Sequence, residues 1–290
     1  MNKSITVTVP PILACLKKAA AHLETDLQLM PHDDKQEAFV RRYGANINDV
    51  DKLTEDEMKS IADIDVRVVN KFLEDNGFVI RLPNPPPDSI NVASVLNILV
   101  EWTKIGSVTE VKNDKGTFPA VKLGNVGLFT CGKNIVTSIE TKSGFRVPPC
   151  CVWMTPLDIL PDGEEAANET LLSLTSMPID SFKSLMGYTG IVFPMIDYNN
   201  EIDLSWIEGL HINPKWFVSA AVQQTKFRMN EKGARANSGA GMAMTKGAAP
   251  RAMPFVIDKP FALWITRRGI RFPLFSGIFL EDTWKKPDSL

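Results

Sequence analysis

From Ala234 to Met244 the chain alternates with period two, yet nearly every residue in the stretch is small. One set of positions is Ala234, Ala236, Ser238, Ala240, Met242 and Met244. The other is Arg235, Asn237, Gly239, Gly241 and Ala243. Alternation of this kind places successive side chains on opposite faces, which a half-buried β-strand requires. Glycine and alanine are weak strand formers, so the same residues do not start a strand unaided. The stretch therefore reads as a loop patterned to become a strand.

The 290 residues suffice for one large domain or two ordinary ones, and 44% hydrophobic with 23% charged residues is a globular composition. A net charge of −2 gives no overall drive towards nucleic acid, although bases outnumber acids between Lys232 and Arg271. Cys15, Cys131, Cys150 and Cys151 have no CxxC spacing and form no disulfide framework, so reduced thiols are expected. No run of about 20 apolar residues predicts a membrane helix. With no evident signal peptide, a cytoplasmic or virus-associated setting is expected.

Residues 4–10 alternate as a strand, and Ile12–Leu23 predicts a helix. Asp26–Leu29 reads as a short strand. Thr54-Glu55-Asp56-Glu57 has capping-box spacing and predicts a helix carrying Ile61, Ile64, Val68 and Phe72 on one face, ending near Asn76-Gly77. The prolines of 83–87 make a rigid connector. Ser94–Trp102 is a continuous apolar run broken by Asn97, as in a strand covered on both faces. Strands follow at 120–123, 126–131, 135–140 and 152–160, then a helix at 164–175. Further strands are expected at 190–196, 217–229, 254–266 and 272–280. This order lacks strict βαβ alternation, so the predicted class is α+β with mostly antiparallel sheets.

No enzyme constellation stands out. His22, His32 and His211 lack metal-ligand spacing, and Pro31-His32-Asp33-Asp34 reads as a polar turn. Neither a nucleophile elbow nor a phosphate-binding glycine loop is present. No metal or cofactor is expected, and no enzymatic activity. Asn97 is the polar residue that needs an explanation, since a buried amide requires partners.

Three motifs carry a family resemblance. Asn230-Glu231-Lys232-Gly233-Ala234 follows the strand-like Val218–Val222 as a hinge would. Phe255-Val256-Ile257-Asp258-Lys259-Pro260-Phe261 is a compact signature, followed by Leu263 and Ile265. Pro273-Leu274-Phe275-Ser276-Gly277 closes the set. In these motifs the chain resembles the serpin family. The resemblance weakens upstream, through Val69-Asn70-Lys71-Phe72, Val95-Leu96-Asn97-Ile98 and Ile159-Leu160-Pro161-Asp162. It places Ile5–Leu29 well inside a serpin, implying an N-terminal helical bundle that is reduced or absent. The implied organisation is one serpin-like domain over 1–290. Residues 1–90 are divergent, 91–229 form the sheet core, 230–254 a reactive-centre-like loop and 255–290 the C-terminal strands.

The resemblance also implies a mechanism. A protease cleaves the loop, which then inserts as a new strand and traps the acylated enzyme. Glu231, Gly233, Ala234, Ala236, Ser238 and Ala240 would form the hinge and its inward face, small enough to thread between strands. The implied scissile region is Lys246, Gly247, Ala248 and Arg251, where Lys246 suits a trypsin-like pocket. Asn97 and Gln223 would form the shutter beneath the loop, with Gln223 replacing the family's usual histidine. The expected partner is a target protease, trypsin-like or another serine or cysteine protease. A non-inhibitory serpin-fold protein that acts as a structural or protein-binding component, in an oligomer or assembly, is the alternative. Neither nucleic acid nor membrane is expected as a partner.

Overall fold

A computed structural model describes residues 3–84, 86, 89–98, 100–124, 126–142, 148–234 and 253–288. Its spine is a seven-stranded antiparallel sheet in the order β1 (Ile5–Val7), β17 (Phe275–Phe279), β16 (Phe261–Arg267), β9 (Cys150–Pro156), β8 (Asn134–Glu140), β7 (Gly127–Cys131) and β10 (Lys183–Ser184). The continuous apolar run of β16 follows from its place between two layers. Phe261, Leu263 and Ile265 enter the main core, while Ala262 and Trp264 face α4 (Gly163–Thr175) with its Ala167 and Leu171. Trp264 stacks on Trp153 of the neighbouring strand, with ring centroids 6.2 Å apart.

Two four-stranded sheets adjoin this spine. One runs β15 (Phe255–Val256), β11 (Gly190–Pro194), β6 (Gly116–Gly124), β5 (Ser107–Asn113), with β15 parallel to β11. The other runs β12 (Ile196–Asp203), β13 (Val222–Met229), β14 (Gly233–Ala234), β4 (Val100–Glu101). A two-stranded antiparallel sheet, β2 (Met58–Asp63) with β3 (Asn91–Leu96), continues the line of β4. Besides four short 3-10 helices, three more α-helices are described: α1 (Pro10–His22), α2 (Asp34–Tyr43) and α3 (Val66–Asp75). The two prolines that open α1 occupy its first turn, where a missing N–H costs no helical hydrogen bond.

The expected α+β class with mostly antiparallel sheets is the observed one. The largest local departure lies at 54–76, where a strand precedes the helix. Glu57 does reach back to the Thr54 N–H, Oε2 accepting at 3.1 Å, but both its carboxylate oxygens also bind Arg267. The turn ends there and the chain leaves as β2, whose backbone pairs with β3 from Met58 to Asp63. The helix starts later at Asp65, whose side chain accepts from the Arg67 N–H. A second departure is α2, a helix not expected from the sequence, which starts at the end of the polar turn expected at 31–34. Asp33 caps it by accepting from the Gln36 N–H at 2.8 Å, and fully buried Gln36 and Phe39 dock it. The run 94–102 is interrupted as well: β3 ends at Leu96 and β4 starts at Val100. Asn97 donates its N–H to the Glu57 carbonyl at 2.7 Å, outside the strand ladder. Asp26–Leu29 forms no strand, although the Gln28 N–H donates to the Ile212 carbonyl and Met30 bridges His211.

Candidate functional site

The site forms where β13 ends. After Met229 the chain makes a tight turn in which the Asn230 N–H donates to the Gly233 carbonyl at 2.9 Å. Asn230 Oδ1 accepts from the Lys232 N–H at 2.8 Å. The turn is held from the far side by residues after β4. Trp102 donates its indole N–H to the Asn230 carbonyl at 2.9 Å and its backbone N–H to the Lys232 carbonyl at 3.1 Å. The Gly106 N–H donates to the Glu231 carbonyl at 2.7 Å. Trp102 is 1% exposed and rests edge-on against Phe193. A buried indole needs a partner for its N–H, and here it fixes the turn.

Gly233 and Ala234 then lie as β14 between β13 and β4, with Ala234 opposite Met229 on one side and Val100 on the other. Glycine is required at 233 by proximity: a Cβ there would sit 2.2 Å from the Val100 carbonyl oxygen. Ala234 is buried and faces the main core. Glu231 Oε2 is buried without a hydrogen-bond partner among the described residues.

Below β14 a cleft of about 1140 Å³ separates β13 from β3. Its floor is α1, its walls are the facing edges of the two strands, and Ala234 stands at its head. Along β13 the buried Gln223, Thr225 and Phe227 share one face, and the opposite face carries buried Gln224 and exposed Lys226. The floor carries polar groups. Cys15 donates through Sγ to Ser94 Oγ at 3.3 Å, and Ser94 meets Ser60 at 2.7 Å. Burial pushes the Cys15 thiol up to about 11, so it stays protonated. Thr8 Oγ1 is buried without a hydrogen-bond partner among the described residues.

Glu57 and Arg267 anchor the β2–β3 side of the cleft to the spine. Arg267, 6% exposed, makes a bidentate pair through NH1 to Oε2 at 2.9 Å and NH2 to Oε1 at 2.5 Å. Burial works against the Glu57 carboxylate, but the hydrogen bonds from Arg267 and Thr54 outweigh it and hold its pKa below the ordinary value. Through its carbonyl the same Glu57 receives the Asn97 N–H.

Residues 194–281, which span this hinge and the strands on either side, match the model of the serpin (serine protease inhibitor) family. The sequence match to the family is confined to that stretch, while the serpin fold extends over nearly the whole chain. Among solved structures it is similar to Serpin48 of the insect Tenebrio molitor, at 12% identity and a TM-score of 0.60, over 96% of this chain and 92% of that one. Human thyroxine-binding globulin complexed with thyroxine gives 12% identity and a TM-score of 0.58, covering 95% and 91%. The thermophilic serpin tengpin in its native state gives 12% and 0.58, covering 97% and 89%. No curated protein matches by sequence.

Several expected serpin site residues therefore have places. Glu231, Gly233 and Ala234 form the hinge turn and β14. Asn97 and Gln223 line one cleft, but Gln223 directs its amide N–H to the Thr8 carbonyl at 2.9 Å and so braces β13 against the segment before α1. Ala236, Ser238, Ala240, Lys246, Gly247, Ala248 and Arg251 lie outside the described residues. Asn230 and Trp102 were not expected as site residues. An apolar run ending in Trp102 signals burial but not the carbonyl that its indole holds.

Proposed function

We propose that this serpin inhibits a protease as a suicide substrate: cleavage within 231–253 frees the loop to enter the cleft as a new strand between β13 and β3. The observation that carries the reading is β14. Ala234 is already paired on both sides, and Gly233 with β4, at the head of a cleft that no described residue fills. Continuing their register along β13 brings Ala236 opposite Phe227, Ser238 opposite Thr225 and Ala240 opposite Gln223. All three would share the inward face of Ala234. Small side chains suit that face because Phe227 is stacked against Phe275, with centroids 4.4 Å apart. Insertion would complete two strand edges and bury apolar surface, which supplies the driving force. Lys246 is the preferred scissile residue, facing a trypsin-like pocket with a carboxylate at its base; Gly247, Ala248 and Arg251 are the alternatives.

Incubation with trypsin-like and elastase-like proteases tests this reading. An SDS-stable acyl complex is expected, together with a large rise in Tm of the loop-cleaved protein. Clean cleavage with neither result would discard it. A second reading, a serpin-fold protein that binds a partner without inhibiting it, is favoured by Gln223. Its side chain braces β13 to Thr8 in the closed form, where opening would release it.

A further inference from the structure

β2 pairs with β3 in one unbroken register, from Met58 opposite Leu96 to Asp63 opposite Asn91. One residue earlier, and in the same register, the Asn97 N–H donates to the Glu57 carbonyl. In an antiparallel ladder, residues that exchange hydrogen bonds alternate with residues that turn their backbone groups away. Glu57 therefore sets the phase. Lys59, Ile61 and Asp63 bond towards β3, while Ser60 and Ala62 present N–H and C=O to the opposite edge. The side chains agree: the Ser60 and Ser94 hydroxyls lie 2.7 Å apart, as in the closer, non-hydrogen-bonded kind of pair. Among the described residues no strand pairs with that edge. The two faces are covered, by α1 where Cys15 meets Ser94 and by α3 where Val69 and Leu73 pack with Ala93 and Val95. The edge is what stays open.

Edge strands are commonly blunted by lysine, proline or a bulge. β2 has neither proline nor bulge, and its one lysine, Lys59, is matched by Asp63 on the far side of Ile61. Asp63 Oδ1 accepts from the Asp65 N–H at 2.8 Å, which holds the carboxylate at the strand end. Such a strand complements itself. Turned about a two-fold axis at Ile61, it lays Ser60 against Ala62 of a second copy, and both pairs exchange their hydrogen bonds. Lys59 of each copy then faces Asp63 of the other, in the pairs whose side chains approach most closely. Ile64, 73% exposed just past the strand, comes opposite Met58. An axis at Ser60 would instead set Glu57 against Asp63, so charge selects the first register.

We propose that two copies of this chain pair through their β2 strands, joining two β2–β3 sheets into one four-stranded sheet across a two-fold axis at Ile61. The edge is short, so the dimer is weak and concentration-dependent. It does not depend on loop insertion.

Sedimentation velocity of the intact protein from about 5 to about 300 µM tests this, with a shift from monomer to dimer expected across the range. Ala62→Pro removes an N–H that β3 does not use, and is expected to weaken association at least about tenfold with Tm near the wild-type value. Lys59→Asp and Asp63→Lys are each expected to lose self-association, because like charges then face each other at both pairs. Mixed, the two variants restore opposite charges at both pairs and are expected to form a heterodimer within about threefold of wild-type affinity. A folding defect cannot produce that reciprocity. Ile61→Cys puts a thiol on the axis, and mild oxidation is expected to link position 61 to itself in the peptide map. A protein that stays monomeric throughout the range would overturn the proposal, as would a dimer indifferent to Ala62→Pro and to both charge variants.

Discussion

In the seven-stranded sheet, β16 has a neighbour on each side through almost its whole length, β9 from Phe261 to Arg267 and β17 from Phe261 to Ile265. In the sheet that carries β14, β13 pairs with β12 from Val222 to Met229, but on its other side, among the described residues, it meets β14 at Met229 alone. The first strand is buried on both faces; the second faces a cleft. Both belong to one chain and share one hydrophobic core. Stability is thus concentrated in the spine and withheld at the cleft. The strand insertion proposed above would need this division, because a completed sheet has no edge to offer.

The widest test of that contrast compares two truncations. Phe279 is fully buried in the spine against Phe227 and Phe261, and Phe279→Ala is expected to lower stability by about 3–5 kcal/mol in urea unfolding. Ile12 lines the cleft. Ile12→Ala leaves a wall that already lacks packing on one side and is expected to cost under about 1.5 kcal/mol. Equal costs would erase the distinction.

Glu57→Gln tests how firmly the β2–β3 flank is tied to the spine. Removing the charge leaves Arg267 buried beside a neutral amide, at an expected cost of about 2 kcal/mol, reduced from a fully buried pair by the partial exposure of Glu57. Since folding lowers the Glu57 pKa, the pair contributes fully above the ordinary value of 4.5 and is lost as pH falls through the lower folded value. The variant should show a flatter acid limb in a plot of stability against pH. An unchanged limb would mean that other carboxylates set it.

Gly233→Ala places a methyl against the Val100 carbonyl, with an expected loss of about 1–2 kcal/mol and faster hydrogen exchange at Trp102 and Ala234. Wild-type exchange there would show that β14 yields without leaving its place. The smallest effect expected is a gain. Thr8→Val removes a buried hydroxyl that lacks a partner among the described residues and should stabilise by up to about 1 kcal/mol. A loss of that size would reveal a partner in solution.

The spine was the most legible part of the sequence because β16 and β17 combine long apolar runs with β-branched and aromatic residues, and burial on both faces leaves no other reading. The motif at 230–234 pointed to the segment that forms the turn after β13 and β14. The 54–76 region misled because its local signals were sound but outweighed. The capping carboxylate of Glu57 is claimed by Arg267, 210 positions away, and no window of neighbouring residues contains that competition. α2 failed for the converse reason. Asp33 and Gln36 already had helix-start spacing, but a strongly polar segment gave little periodic signal until Trp206 supplied the aromatic surface on which Phe39 rests.

The parallel pairing of β15 with β11 bears on what a cut between Ala234 and Phe255 would release. The downstream fragment keeps Phe255 and Val256 in register with Ile191 and Val192, and it contributes β16 and β17 to the middle of the spine. Neither new terminus belongs to a separable piece. A nicked molecule would keep its native mass in solution and show two bands only after denaturation, so it would still be one object, with one covalent link fewer.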